Sequence, residues 1–225
     1  AVILIFLLGF FDDKFEISAN LKFIIMLCIS SLVIILSDDL LIKTVKLSFL
    51  SNNFELSYPI SFMWTMICFM LFLNALNMFD GINYQVSLYS IFICSFFILI
   101  NYFSILFILI MISLIFFIYL NHKNKAFLGD SGSYLLAFLF SYFFVKLYNQ
   151  TELIFSDQIV LFMLIPGLDL MRLFIIRIYN KRSPFFPDRK HFHHLLMSKY
   201  SLKKVNLIIF SLIFIPSSFG YLYGY

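Results

Sequence analysis

Three of the chain's four histidines fall within four residues, His191, His193 and His194, directly after Arg189 and Lys190 and a few residues after Arg182. Arg and Lys donate charge-assisted hydrogen bonds to phosphate oxygens, and imidazole adds donors that titrate near neutral pH, so this basic, histidine-rich knot suits a phosphorylated ligand. A second reading is a juxtamembrane basic cluster that sets orientation and touches anionic headgroups, although such loops have no need of three histidines so close together. Zinc ranks below diphosphate, because the polar residues elsewhere are hard carboxylates and bases and no cysteine accompanies the histidines. With Pro187 in a first helical turn, Asp188 to Leu196 forms a short helix on which His191 and His194 share a face and His193 points about 100° away.

The acids come next. Asp12 and Asp13 are adjacent where an apolar run ends, and two neighbouring carboxylates repel unless a cation or shared proton intervenes; a solvated helix end explains most such pairs. Asp80, Asp130 and Asp169 each lie at or inside an apolar segment, where an unpaired carboxylate costs about 2.5 to 3.5 kcal/mol and points to function. For Asp169, a structural ion pair with Arg172 three residues on and a ligand role both stay open. Gly129-Asp130-Ser131-Gly132-Ser133 has a serine-protease look that helices cannot support, since that catalysis needs a positioned His and Asp. The alternative is close backbone approach at Gly129 and Gly132 to a phosphate at the N-terminus of the next span, with Asp130 holding a metal. Hard oxygen ligands of this sort suit Mg²⁺, which takes one or two carboxylates plus substrate phosphates.

The elements that must position these residues are transmembrane helices. A chain 62% hydrophobic, 20% aromatic and 12% charged, with 32 Phe, carries too much apolar surface for a soluble domain. The net charge of +4 therefore speaks to orientation and not to nucleic acid. Cys28, Cys68 and Cys94 lie singly inside apolar runs, which argues against a disulfide frame or zinc site. The expected fold is an all-α polytopic bundle of about eight segments. The first run, residues 1–11, rises only about 17 Å, half a span, and has no initiator Met; the chain is expected to lack its native N-terminal spans and to form a single integral-membrane domain over residues 1–225. Further spans are expected from about Leu21 to Ser37, Pro59 to Phe79, Tyr134 to Leu147, Ile159 to Ile178 and Val205 to Leu222. The run from Ile82 to Leu120, about 58 Å as one helix, must be two spans with a turn near Asn101. In the mixed stretch Asp38 to Tyr58, the alternation at residues 44–49 is that of a short strand pair or an interfacial segment.

Two spans separate each of the polar clusters at 12–16, 74–83, 121–133 and 180–204, so all four emerge on one side. Of the 16 Lys and Arg, only Lys43, Lys46 and Lys146 fall opposite, which makes the clustered face cytoplasmic by the positive-inside rule. One site assembled from four loops follows.

These four clusters resemble the cytoplasmic signatures of the polyprenyl-phosphate N-acetylhexosamine-1-phosphate transferases (glycosyltransferase family 4). The motifs are Asp12-Asp13, residues 74–81 (NALNMFDG), residues 127–133 (FLGDSGS) and residues 183–195 (SPFFPDRKHFHHL), in the family's order over essentially the whole chain. The His-x-His-His form is similar to the branch that acts with N-acetylglucosamine-1-phosphate and undecaprenyl phosphate. The resemblance implies attack of a lipid phosphate on the sugar-bearing phosphate of a UDP-sugar, giving a lipid-pyrophosphate-sugar and UMP, as an initiating step of cell-surface glycan synthesis. It implies Mg²⁺ (Mn²⁺ as the alternative) at Asp130, a lipid-phosphate role for Asp12 and Asp13 with proton removal by one of them, and nucleotide or metal roles for Asn77 and Asp80. His191, His193 and His194 would hold the diphosphate with Arg189 helping, at the cytoplasmic face of a multi-pass protein of the cell (inner) membrane; a homodimer is the oligomer to look for. The family usually reads DG-x-DG, whereas here Asn83 replaces the second acid and Tyr84 the second glycine, so Asn83 is expected to contact the nucleotide or sugar differently. Against this stand an intramembrane prenyltransferase built on Asp12, Asp13 and Glu16, a transporter of a phosphorylated or anionic substrate, and a non-catalytic relative.

Overall fold

The computed structural model describes residues 1–181, 183 and 191–223, which form a helical bundle with one small hairpin. The helices are α1 (Val2–Phe15), α2 (Ala19–Leu36), α3 (Tyr58–Phe79), α4 (Gln85–Leu99), α5 (Ser104–His122), α6 (Gly129–Gln150), α7 (Ser156–Phe162), α8 (Leu164–Tyr179), α9 (Phe192–Met197) and α10 (Leu202–Tyr223). Among the described residues α2, α3, α5, α6 and α10 are long and apolar enough to cross a bilayer, and α7 with α8 forms a sixth, broken span. The shorter α1 and α4 fall below that length, so among the described residues five or six of the roughly eight expected segments are long and apolar enough to cross. The chain is a polytopic helical membrane protein.

α6 is the axis. It is the most buried of the long spans, with α1 and α3 packed along it, whereas α2, α5 and α10 turn most of their surface outward to lipid. α1 approaches the start of α6 backbone to backbone: a Cβ added at Gly9 would stand 2.4 Å from Cα of Ser131, so only glycine allows this contact. Phenylalanine fills the far half of the core. Phe97 of α4 stacks on Phe107 of α5 at 4.2 Å, and Phe144 of α6 meets Phe96, Phe97 and Phe162, tying four helices through one ring cluster.

The turn expected near Asn101 is there, made without Gly or Pro by the positive φ of Asn101 (55°) and Phe103 (50°). Asn tolerates that region because its short side chain bonds locally. Residues 38–58 hold a 3-10 turn (Asp38–Leu40) and the antiparallel pair Thr44–Val45 with Phe54–Glu55, which is the strand pair suggested by the alternation.

Two expectations fail. The single span from Ile159 to Ile178 is broken: α7 and α8 meet at Met163 with a bend of 80°. Pro166 has no N–H for the carbonyl of Phe162 four residues back, which removes the helical bond at that point. The span expected from Tyr134 instead begins at Gly129, inside the third motif, so Asp130 belongs to the first turn of α6.

The hairpin is pinned to α3 by buried hydroxyls. Thr65 Oγ1 accepts the backbone N–H of Ile42 at 3.0 Å and donates to the Ser61 carbonyl at 2.8 Å, while the Ser61 hydroxyl donates to the Ile42 carbonyl. Thr65→Val keeps the shape but orphans a buried N–H, and is expected to lower stability by about 1–3 kcal/mol. Denaturant unfolding in detergent reads this, together with faster exchange of the Ile42 amide.

Candidate active site

The ends of α1, α2, α3 and α6 meet at one point. Asp12 is buried in the last turns of α1; its Oδ1 accepts the backbone N–H of Ile17 at 2.9 Å and its Oδ2 lies 2.6 Å from Nζ of Lys22, near the start of α2. The same ammonium is 3.5 Å from Oδ2 of Asp130. Asp130 Oδ1 accepts from the Asn77 amide at 2.8 Å, and that amide also donates to Ser133 Oγ at 3.0 Å. The Asn-rich segment, the double aspartate and the glycine-rich motif, far apart in sequence, thus touch through side chains.

Asp13 does something the spacing did not suggest. Its two oxygens accept the backbone N–H groups of Asp130 at 2.8 Å and Ser131 at 3.1 Å, so a side chain from α1 caps α6. The phosphate expected at this helix N-terminus therefore finds those donors taken by a carboxylate. Gly129 and Gly132 likewise face Asp13 and the side chain of Leu128, not an open approach for ligand.

Asp80 closes α3 and is the acid left over. Among the described residues its carboxyl has no hydrogen-bond donor. Burial first, then the facing carboxylates of Asp130 and Asp13, push its pKa up to about 7. Asp80, Asn83, Tyr84, Phe127 and Gly129 line a cavity of about 330 Å³. Asn83 donates weakly to Asn124 Oδ1 at 3.4 Å, and its carbonyl accepts from Asn206 at 3.1 Å. Tyr84 has φ 73°, the left-handed region that favours glycine, and its hydroxyl lies 2.9 Å from Nδ1 of His122 on the cavity rim. The backbone at 84 thus keeps a glycine-like conformation while the side chain ties the α3–α4 loop to the end of α5.

The histidine motif reaches the same place from above Gly81. A Cβ at Gly81 would stand 1.9 Å from Nε2 of His193, which is buried and has no partner there among the described residues. Burial, then His194 and His191 beside it, lower the His193 pKa to about 3 and keep the ring neutral. The expected common face of His191 and His194 does not form. His191 is the extended N-cap of α9, outside the helical period, and its ring stacks parallel on His193 with centroids 5.4 Å apart; the His194 ring is 4.3 Å from that of His193. Arg189, and the helix start expected at Asp188, lie outside the described residues.

Among the described residues no three carboxylates, imidazoles or thiolates are grouped to cage an ion by themselves. Lys22 escaped the reading of the sequence, although a lone base at the head of an otherwise uncharged span is itself a signal that a carboxylate waits nearby.

Two substitutions test these contacts. Asp13→Ala, which uncaps α6, is expected to cost about 0.5–2 kcal/mol in unfolding experiments, whereas Asp13→Asn, itself a capping residue, is expected to recover most of it. Gly81→Ala is expected to displace His193 and lower stability by about 1–3 kcal/mol; an unchanged unfolding curve would show that the loop yields freely.

The sequence profile described as glycosyl transferase family 4 matches residues 1–148. The chain is 32% identical to the undecaprenyl-phosphate alpha-N-acetylglucosaminyl 1-phosphate transferase of Thermotoga maritima (strain ATCC 43589 / DSM 3109 / JCM 10099 / NBRC 100826 / MSB8), over 93% of this chain and 65% of that protein. A relative from Bacillus subtilis (strain 168), 29% identical over 93% of this chain and 60% of its own length, carries the same kind of transferase in its given name. The protein of that name from Escherichia coli (strain K12) is 26% identical over 88% and 56%. The chain thus spans between 56% and 65% of the length of these relatives. The profile covers the double aspartate, the Asn-rich segment and the glycine-rich motif, and the chain belongs to glycosyl transferase family 4.

Proposed function

We propose that the chain transfers an N-acetylated hexosamine 1-phosphate from a UDP-sugar to a polyprenyl phosphate, undecaprenyl phosphate in the first instance, with release of UMP, at the cytoplasmic face of the cell membrane. The observation that carries this reading is the meeting of Asp12, Asp13, Asn77 and Asp130, with Lys22 among them, close to Asp80, which lines the cavity. Relatives named for the same transfer support it.

In this reaction an oxygen of the lipid phosphate attacks the sugar-bearing phosphorus, the bond to the UMP phosphate breaks, and charge is neutralised around the three phosphates; positioning and electrostatics supply most of the catalysis. The donor set fits a divalent cation: Asp80 and Asp130 are hard oxygen ligands, and burial, then the neighbouring carboxylates, raises the pKa of Asp80. Bound Mg²⁺ would neutralise the pyrophosphate and these acids. Asp130 is oriented for it by Asn77, while Lys22 balances Asp12 and stands where a lipid phosphate would enter. With Asp13 engaged as a cap, the proton-removing role passes to Asp12. The cavity lined by Asn83 and Phe127 receives the nucleotide sugar, and His194 and Arg189 meet its diphosphate. His191 and His193 support that grip from behind.

An apolar groove of about 350 Å³ between α2, α3 and α8, lined by Phe23, Met70, Asn74, Leu170 and Phe174, ends one helical turn from Asn77. It supports a polyprenyl chain delivered from the bilayer to the acids. A transporter would spread its acids through the membrane depth; here Asp12, Asp80 and Asp130 gather at helix ends.

Membranes carrying the chain, given UDP-N-acetylglucosamine, undecaprenyl phosphate and Mg²⁺, are expected to release UMP and form a lipid product heavier by one sugar phosphate, detectable by mass. EDTA is expected to abolish turnover, and Asp130→Asn to lower it about 10²–10³-fold. Failure with a full panel of UDP-sugars, or an Asp130→Asn protein as active as the parent, would overturn the reading.

A further inference from the structure

We infer that Asp169 is the positioning residue of the histidine motif, acting through His191 without touching substrate. Asp169 lies in α8, just past Pro166, and is almost fully buried. Its Oδ1 accepts from Arg172 Nη2 at 2.7 Å and Nε at 3.2 Å, and from the backbone N–H of Phe192 at 3.1 Å; its Oδ2 is 3.1 Å from Nδ1 of His191.

A structural ion pair accounts for Arg172 alone. The other two contacts come from more than twenty residues downstream and do two different things. The Phe192 N–H is the first orphan donor of α9, so Asp169 caps that helix from the side of the bundle. A carboxylate at Nδ1 holds the proton on that nitrogen and fixes the ring plane, leaving Nε2 turned the other way. His191 so held stacks on His193, and His193 rests on Gly81, next to Asp80. One carboxylate in an apolar helix thereby sets where three imidazoles stand relative to the acids on the other helices. Arg172 offsets part of the cost of a carboxylate in such a helix.

The activity arm of the test rests on the proposed transfer reaction; a second arm does not. In full-length protein labelled with ¹⁵N-histidine, in detergent, His191 is expected to carry a proton on Nδ1. A ring protonated on Nε2 alone overturns the proposal whatever the enzyme does. In turnover assays, Asp169→Asn is expected to lower kcat/KM roughly 10- to 100-fold, the range for one hydrogen bond to a charged group. In a His191→Gln background the same change is expected to cost less than about threefold, because the partner it acts through is gone. Full additivity of the two substitutions would mark Asp169 as a plain ion-pair residue and overturn the proposal. A wild type that releases no UMP defeats the transfer reading, and the labelled imidazole then decides this one.

Discussion

A carboxylate at the end of an apolar helix needs a donor or a cation within reach, and nearly every contact that shapes this site answers that requirement. Asp12 is met by Lys22 and the Ile17 N–H, Asp13 by two N–H groups of α6, Asp130 by Asn77, and Asp169 by Arg172, Phe192 and His191. Each solution joins two helices, so satisfying the charges also fixes the bundle at this end. Among the described residues Asp80 is the exception, an acid that faces other acids with no donor of its own, and it borders the cavity.

The rest of the fold can be understood as what this arrangement requires. α6 must be central because its first turn carries Asp130 and its exposed N–H groups receive Asp13. α1 must come close enough for that contact, and Gly9 removes the one Cβ that would prevent it. At the other end of the bundle, stacked phenylalanines hold α4, α5, α6 and α7 by shape and dispersion, with no directional demands. The break at Met163 swings α8 by 80°, and on that swung helix Asp169 reaches the start of α9.

The departure at residues 83 and 84 shows how the two levels of description complement each other. From the motif alone, Tyr84 is an intrusion in a glycine's place. In the fold its backbone keeps the left-handed conformation and its hydroxyl reaches His122, so the loop retains its path and gains a tie to α5. Asn83 keeps hydrogen bonding where the family usually has charge: its amide donates to Asn124 and its backbone carbonyl accepts from Asn206.

Hydropathy and spacing were enough to determine the membrane class, the turn at Asn101 and the gathering of Asp12, Asn77, Asp80 and Asp130, because helix length against bilayer thickness and the cost of lipid-buried charge are one-dimensional constraints. What those constraints could not decide was the division of labour within the gathered set. That Asp13 caps α6 while Asp12 pairs with Lys22, that His193 is buried on Gly81 while His191 stands outside its helix, and that Asp169 serves the histidines as well as Arg172 depend on which donor lies within about 3 Å of which oxygen. Adjacent residues of identical type receive different partners because a helix turns them about 100° apart, and only the packing of α1, α6, α8 and α9 determines what each then meets.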